Sequence, residues 1–189
     1  LGTFNDRYPG VRVRADTMGD QEMSDALLSG EVDVIFIDMF EGSERPFLTR
    51  ELFDDELLAV LPFGHPLAEK ECVTLGELAE YPFLEVSSDG LVSNLKYVSD
   101  EERNLSWKIR FSLSDDLMLM NMIKNGMGVS FVGRMLTVNY PDKVVTRPLD
   151  PRKHRTFGIG VRSEKHLSPA VSAFIDTTDE VIADALEQI

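Results

Sequence analysis

The chain has 189 residues, of which 43% are hydrophobic and 28% charged, so it can bury a core without disulfide or metal cross-links. Thirty-three acidic residues against 19 Lys and Arg give a formal net charge of -14. A surface of that sign repels phosphate backbones and anionic lipids, which makes the chain a poor candidate for direct contact with DNA, RNA or membranes.

Cys72 is the single cysteine, which excludes an internal disulfide and a zinc site built from several cysteines. No apolar run approaches the roughly 18 residues that a membrane-spanning helix needs. The first residues lack the basic and apolar regions of a signal peptide. These features predict a cytoplasmic location.

Strand and helix patterns alternate along the chain, which predicts an α/β fold. The first unit would be a half-buried strand at 11–15, a helix from Asp20 to Gly30 and a buried strand at 32–37. A right-handed crossover is expected to join these two strands. Further strands are predicted at 48–53, 57–61, 83–86, 107–113, 129–132, 144–149 and 157–161.

The helix signals are strongest where a capping residue precedes an apolar stripe. Thr74 is one such residue, and Ser168-Pro169 opens the clearest helix of the sequence. Helices are predicted at 74–80, 91–99, 114–126 and from 168 onward, and a polar turn is predicted at 150–154. Because strand and helix patterns occur together twice, two small α/β lobes fit better than one long sheet.

Seven short motifs follow one another across nearly the whole chain. They are 7–11 (RYPGV), 26–34 (ALLSGEVDV), 52–57 (LFDDEL), 64–68 (GHPLA), 73–78 (VTLGEL), 122–129 (MIKNGMGV) and 167–174 (LSPAVSAF). Each motif is weak alone, but their order resembles the effector-binding domain of LysR-type transcriptional regulators.

The resemblance implies two Rossmann-like lobes with a type 2 periplasmic-binding-protein-like fold, joined by two hinge strands near 81–83 and 155–157. The first lobe would hold residues 1–81 and 156–189, and the second would hold residues 82–155. A small effector in the cleft would change the arrangement of a homodimer or homotetramer, and the strand at 11–15 and its flanking helices would form the subunit contact.

DNA would be bound through the family's winged helix-turn-helix, which has no counterpart in this sequence. The chain alone is therefore not expected to bind operator DNA. The family's first strand has no counterpart either. A free-standing type 2 solute-binding protein is the alternative function.

In this fold, ligands bind at the carboxyl ends of strands and at helix N-termini. The matching ligand-binding positions are Met18, Gly19, Asp20, Asp38, Met39, Ser87, Ser88, Asp89, Val132 and Gly133. Because Asp20, Asp38 and Asp89 are acidic, one hypothesis is that the pocket prefers a cationic or multi-hydroxyl effector over an organic anion. The alternative is that Asp20 only caps its helix and Asp38 faces solvent.

Met118, Met120, Met122 and Met127 crowd the helix at 114–126. A flexible thioether surface can form an adaptable pocket or interface, and a stripe of this kind can equally be core. The sequence leaves both interpretations open.

The sequence carries no positive sign of an enzyme. Cys72 follows Glu71, whose charge disfavours a thiolate, and none of His65, His154 and His166 has metal-ligand spacing to another residue. We therefore expect no catalytic residue, no metal and no cofactor.

Overall fold

The computed structural model describes residues 1–39, 45–88, 92–138, 140, 143–163 and 167–186. The helices are α1 (Gly2–Arg7), α2 (Asp20–Ser29), α3 (Leu75–Ala79), α4 (Asp100–Arg103), α5 (Asp116–Lys124), α6 (Arg134–Thr137) and α7 (Pro169–Leu186). The strands are β1 (Val34–Met39), β2 (Leu48–Leu61), β3 (Pro82–Ser88), β4 (Val92–Ser93), β5 (Lys108–Leu113), β6 (Ser130–Gly133) and β7 (Val145–Val161). Single 3-10 turns cover Pro66–Glu69 and Asn94–Tyr97.

Contacts within the chain divide it into two compact units. The first unit comprises Leu1–Phe53 with Thr156–Ile189, and the second comprises Asp54–Arg155. The chain passes from one unit to the other within β2 and again within β7.

Residues 54–81 lie in the second unit, whereas the sequence assigns them to the first lobe. Leu57 and Leu75 pack in the same core as Phe83, which explains the grouping. The first hinge expected near 81–83 lies inside the second unit for the same reason. The lobe limits themselves stay a prediction.

In the first unit, β1 pairs antiparallel with β7, from Val34 opposite Val161 to Met39 opposite Thr156. Helix α2 covers this pair, and the shared core consists of Leu27, Ile35, Ile37 and Phe47. Helix α7 packs on α1, where the rings of Phe4 and Phe174 lie 5.2 Å apart, edge to face. No helix of the described residues is both long and apolar enough to cross a membrane.

The predicted helix from Asp20 to Gly30 is confirmed. Its last turn closes on Gly30, which has a left-handed backbone (φ 83°) and donates its N–H to the carbonyls of Ala26 and Leu27. A residue with a Cβ is strained in that conformation, so the glycine ends the helix as its position predicts.

The predicted strand at 11–15 is wrong, because residues 11–19 form neither helix nor strand. Val13 is exposed, and Arg14 pairs with Asp16 beside it in the chain. An alternating pattern makes a strand only where a neighbour accepts its backbone hydrogen bonds, and no described strand lies beside these residues. The expected crossover unit at 11–37 is therefore absent, and so is the edge strand expected to contact another subunit.

In the second unit, β3 pairs in parallel with β5 and antiparallel with β4. Strand β2 pairs antiparallel with β6, from Leu57 opposite Gly133 to Val60 opposite Ser130. Between these pairs, Phe83 of β3 forms an isolated bridge with Val129, just before β6.

Two cores lie on opposite sides of β3 and β6, because successive side chains of a strand point to opposite faces. Phe83 and Phe131 belong to a core with Trp107, whereas Leu84 and Val132 belong to a core with α5. Strands that are covered on both faces are apolar at nearly every position, which is the pattern the sequence shows at 83–86 and 129–132.

Most other predicted elements are confirmed, with limits that differ by one or two residues, but the two strands predicted at 48–53 and 57–61 form one continuous strand, β2. The predicted helix at 91–99 is wrong: the described part of that segment forms β4 and one 3-10 turn. Asn94 is responsible for the difference, because its buried amide donates to Ser130 Oγ and to the Phe131 carbonyl, each at 3.1 Å. An asparagine that is bonded across the core in this way does not favour an α-helix.

The predicted turn at 150–154 is also wrong, since these residues continue β7, a strand of 17 residues. Their polarity has another cause. Arg152 pairs with Glu56 and Lys153 with Glu102, at 2.5 Å and 2.7 Å. The segment is polar because it forms ion pairs with neighbouring elements.

The methionines of helix α5 are partly core and partly exposed surface. Met120 is buried with Leu119 and Ile123, whereas Met118 and Leu117 in the first turn are 52% and 56% exposed. One face of the helix is core, and its first turn presents apolar side chains to solvent.

Helices α3 and α4 each begin with a capping box. In α4, Glu102 accepts hydrogen bonds from the Ser99 N–H at 2.8 Å and from Lys153 Nζ at 2.7 Å. Burial alone would raise the pKa of Glu102, but the hydrogen bonds from Lys153 and Ser99 outweigh it and lower the pKa below its usual 4.5. A lowered carboxylate pKa in the folded state means that the stabilisation is present at neutral pH and is lost as the pH falls through that pKa.

We expect Glu102→Gln to lower the stability at pH 7 by about 1 kcal/mol, the contribution of a typical cap. The difference from the wild type should vanish below the folded-state pKa, because the wild-type carboxyl is then also neutral. Thermal unfolding from pH 7 to pH 3 measures it, with Glu101→Gln on the exposed side of α4 as the control. A difference that stays constant over this range would contradict the assignment.

Candidate functional site

The second unit contains a surface hollow near the carboxyl ends of β3 and β6. Its lining combines apolar, aromatic and charged side chains. The lining residues are Val86, Asn94, Lys96, Tyr97, Ser114, Asp116, Phe131, Val132, Gly133, Leu136 and Arg155. A concave surface with a few convergent polar groups is the usual form of a small-molecule site.

Two of the predicted ligand-binding residues, Val132 and Gly133, line this hollow. Ser87 and Ser88 end β3, where their backbone pairs with Ser93 and Val92 of β4. Asp89 lies outside the described residues.

The other five predicted residues lie in the first unit. Gly19 is the N-cap of α2, Asp20 is the first residue of that helix, and Met18 directly precedes them. Asp38 and Met39 end β1, and the Met39 thioether packs over Gly158 of β7. A ligand-binding role for these residues stays a prediction.

The surroundings of Asp20 and Asp38 bear on the alternative that Asp20 only caps its helix and Asp38 faces solvent, whereas the preference for a cationic or multi-hydroxyl effector stays a prediction. Asp20 lies in the first turn of α2, where the helix dipole favours its charge, and it lies 3.5 Å from Arg45. Asp38 is half-buried and does not simply face solvent. Among the residues around the hollow, by contrast, the structure places two cations, Lys96 and Arg155.

Arg155 is held by a buried ion pair with Asp55. Its Nε donates to Asp55 Oδ2 at 3.0 Å, and its Nη2 lies 2.9 Å from the same oxygen. The other carboxylate oxygen accepts the Met135 N–H at 3.0 Å, and the Asp55 side chain is 1% exposed. Removing either partner would leave a buried charge, which typically costs about 3–5 kcal/mol.

Gly133 makes room for this pair. A Cβ at position 133 would overlap Asp55 Oδ2 and Arg155 Nη2, so the ion pair lies directly on the glycine backbone. Gly133 is the last residue of the buried strand β6 and also the N-cap of α6. The sequence singles out Gly133 as a ligand position, and the structure adds that the absence of a side chain there positions a cation.

Tyr97 brings the two cations of the hollow to one aromatic ring. Lys96 Nζ lies 4.9 Å from the centre of the Tyr97 ring, and the Arg155 guanidinium carbon lies 5.9 Å from it. Cations are attracted to the face of an aromatic ring, so the ring stabilises the positions of both charges.

A buried polar network fixes the turn that carries Lys96 and Tyr97. Asn94 donates to Ser130 and Phe131, and Ser130 Oγ donates to the Leu84 carbonyl at 2.7 Å. The Val86 N–H donates to Asn94 Oδ1 at 3.4 Å. Satisfied buried polar groups rigidify their surroundings, so the hollow is built on a fixed frame.

Sequence reasoning missed Lys96, Tyr97 and Arg155. The segment at 91–99 was predicted as an ordinary helix, and Arg155 was placed in a hinge strand without a role. One partial signal was available: Asp54, Asp55 and Glu56 directly precede the apolar run at 57–61, and any of these acids that is buried there needs a partner. Within the described part of the chain, no cluster of three or more His, Cys, Asp or Glu side chains could hold a metal ion.

We expect Gly133→Ala to lower the stability by roughly 3–5 kcal/mol, because the added methyl group displaces Asp55 and breaks its pair with Arg155. Chemical denaturation of the wild type and the variant measures this. Gly10→Ala is the matched control, since a Cβ at Gly10 meets no atom within 4 Å. Equal effects of the two substitutions would contradict the tight contact at Gly133.

Comparison with known proteins supplies a family. The chain matches the LysR substrate binding domain over residues 1–183. It is 26% identical to the probable HTH-type transcriptional regulator LrrA of Synechococcus elongatus over 93% of this chain and 58% of that protein. It is 25% identical to a probable RuBisCO transcriptional regulator of Synechocystis over 93% of this chain and 53% of that protein. The chain thus spans somewhat more than half the length of these relatives.

Solved structures show the same fold. The CcmR regulatory domain of Synechocystis PCC6803, in complex with 2-PG, has a TM-score of 0.81 at 18% identity, over 96% of this chain and 88% of that one. HinK, a LysR family transcriptional regulator from Pseudomonas aeruginosa, has a TM-score of 0.76 at 25% identity, over 96% of this chain and 64% of that one. The predicted α/β, type 2 periplasmic-binding-protein-like fold is therefore confirmed, and the chain belongs to the LysR substrate binding domain family.

Proposed function

We propose that this chain is the effector-binding part of a LysR-type transcription regulator and that the hollow of the second unit binds the effector. One observation carries the proposal: Arg155, Tyr97 and Asn94 line one hollow, where Arg155 is held by Asp55, Asn94 is held by Ser130 and Phe131, and Tyr97 packs against the core that contains Phe83. The family match, relatives named as transcriptional regulators, and the complex of the CcmR regulatory domain with 2-PG all support it.

Regulation would follow from differential binding. An effector shifts an equilibrium between two arrangements only by as much as its affinities for them differ. In the full-length regulator that shift would be transmitted to a winged helix-turn-helix, which would make the contact with DNA. The net charge of -14 makes residues 1–189 themselves unsuited to that contact. Because the DNA target lies in the cytoplasm, we place the regulator there.

We also propose ligand-binding positions within the first unit, namely the five predicted residues Met18, Gly19, Asp20, Asp38 and Met39. They lie at the ends of β1 and at the start of α2, and both places suit ligand contact in an α/β fold. Within the second unit, the proposed positions are Val132 and Gly133 of the hollow together with Ser87, Ser88 and Asp89, of which Asp89 lies outside the described residues.

We expect an effector to raise the melting temperature of the chain. A ligand at 100 times its dissociation constant stabilises the folded state by about 2.7 kcal/mol, which corresponds to roughly 5–10 °C for a chain of this size. A metabolite screen by thermal unfolding measures this. Tyr97→Ala should abolish the shift, whereas Tyr8→Ala, at an exposed tyrosine of the first unit, should keep it. A shift that Tyr97→Ala leaves intact would argue against the hollow.

We also propose that the regulator is a homodimer or homotetramer. Leu117 and Met118 in the first turn of α5 are 56% and 52% exposed, and two adjacent apolar side chains of this kind favour a protein contact. We therefore propose Leu117 and Met118, instead of the strand at 11–15, as the subunit contact.

If that surface joins two subunits, Leu117→Glu should convert the wild-type oligomer to a monomer, because it places a charge in an apolar contact. Sedimentation velocity measures the change. Phe63→Glu, at an exposed residue near the start of the turn Pro66–Glu69, is the control and should leave the oligomer intact. A monomeric wild type would refute the proposal.

A further inference from the structure

The charges at the hollow balance one another. Lys96, Asp116 and Arg155 are the charged side chains among its lining residues, and Asp55 is the buried partner of Arg155. Because Arg155 Nη2 lies 2.9 Å from Asp55 Oδ2, this cation already has its counter-charge. Lys96 and Asp116 are also opposite in sign. Two cations and two carboxylates leave the hollow without a net charge, although the whole chain carries -14.

A ligand with a net charge would disturb this balanced set. An anion that approaches Arg155 also approaches the Asp55 carboxylate, which repels it, and the repulsion is stronger in a half-buried hollow than in water. A cation that approaches Asp116 meets Lys96 and Arg155 in the lining of the same hollow. In both cases the ligand loses the hydration of its charge, and no net opposite charge compensates for the loss.

Another part of the lining is apolar. Val132 is buried, and Val86 and Leu136 are partly buried residues that pack against the same core as Val132. All three line the hollow, so an alkyl group that covers them removes apolar surface from water. Ser114, in the same lining, offers an exposed hydroxyl that can both donate and accept a hydrogen bond. A small molecule with an alkyl group and a neutral polar group matches both features.

From this lining we infer that the effector carries no net charge at neutral pH and places an alkyl group on Val86, Val132 and Leu136. Lys96 and Asp116 then determine specificity, because together they keep the hollow neutral. The inference rests on the proposed effector-binding function and names the chemical class of the effector. Of the two classes that the acidic residues of the sequence suggested, it keeps the uncharged one and sets aside the cationic one.

Four small probes with the same isopropyl group test the inference. At pH 7 isobutyramide is uncharged, valine is a zwitterion, isobutyrate is an anion and isobutylamine is a cation. Each is titrated into the folded chain at constant ionic strength while the backbone amide resonances of residues 94–97, 114–116 and 132–136 are followed. We expect isobutyramide or valine to bind at least about tenfold more tightly than both charged probes, and the tighter of the two distinguishes an uncharged effector from a zwitterion. Equal affinities for all four, or a preference for isobutyrate or isobutylamine, would overturn the inference.

Removing one charge should give the hollow a net charge and change its preference. In Asp116→Asn the cations are in excess, so the affinity for isobutyrate relative to isobutylamine should rise about tenfold, the factor that corresponds to 1.4 kcal/mol. In Lys96→Gln the carboxylates are in excess, so the same ratio should fall about tenfold. Asp116 is exposed and Lys96 is half-exposed, so the amide resonances outside the hollow should stay as in the wild type and verify the fold.

Two matched substitutions control for the net charge of the chain. Asp33→Asn and Lys124→Gln remove the same charges at exposed positions that do not line the hollow. They should change the ratio of the two affinities by less than about twofold. If they change it as much as Asp116→Asn and Lys96→Gln do, the preference comes from the overall charge and the inference is wrong.

The thermal screen separates the inference from the proposed function. If its best ligand is an anion or a cation that shifts the resonances of the hollow, the inference fails and the effector-binding function stands. A ligand without net charge that shifts them supports the inference even where the small probes bind too weakly to measure. If none of the probes and no compound of the screen perturbs the hollow, both fail.

Discussion

The ion pair between Asp55 and Arg155 is the interaction on which the hollow depends. A carboxylate that is 1% exposed has exchanged its hydration for three protein donors, two from Arg155 and one from the Met135 backbone. Such a pair contributes little net stability over an apolar replacement, but breaking it is costly. It therefore acts mainly as a constraint: it requires glycine at position 133, connects β2 with β7, and fixes the direction of one cation.

The packing of side chains on both faces of the strands in the second unit explains why the ion pair of Asp55 and Arg155 lies beside the surface hollow. Strands β3 and β6 alternate side chains between two cores, so packed apolar side chains occupy both of their faces. The lining groups of the hollow converge where these strands end, at Val132, Gly133 and the turn Asn94–Tyr97. The buried amide of Asn94 connects the core with the hollow, because it donates a hydrogen bond to the Phe131 carbonyl of β6 and so holds the turn that carries Tyr97.

The sequence predicted an element correctly where residues at the end of that element determine where it begins or ends. Gly30 ends α2, and Thr74 begins α3. The wrong predictions have a common cause: each depended on whether a distant part of the chain lies beside the segment. No described strand pairs with residues 11–15, and residues 150–154 are polar because Arg152 and Lys153 form ion pairs with Glu56 and Glu102, not because they form a turn. For the same reason Gly133 could be singled out from its place after the strand predicted at 129–132, whereas Arg155, whose partner lies 100 residues away, could not.

Charge acts on two length scales in this molecule. The net charge of -14 repels any anion at long range, and ions in solution screen that repulsion beyond about 10 Å at 0.1 M salt. Lys96 and Arg155 act at contact distance in a half-buried site, where screening is weaker. The net charge therefore acts on ions that approach the chain from a distance, whereas the contacts of Asp55 and Arg155 determine how charge is held inside the hollow.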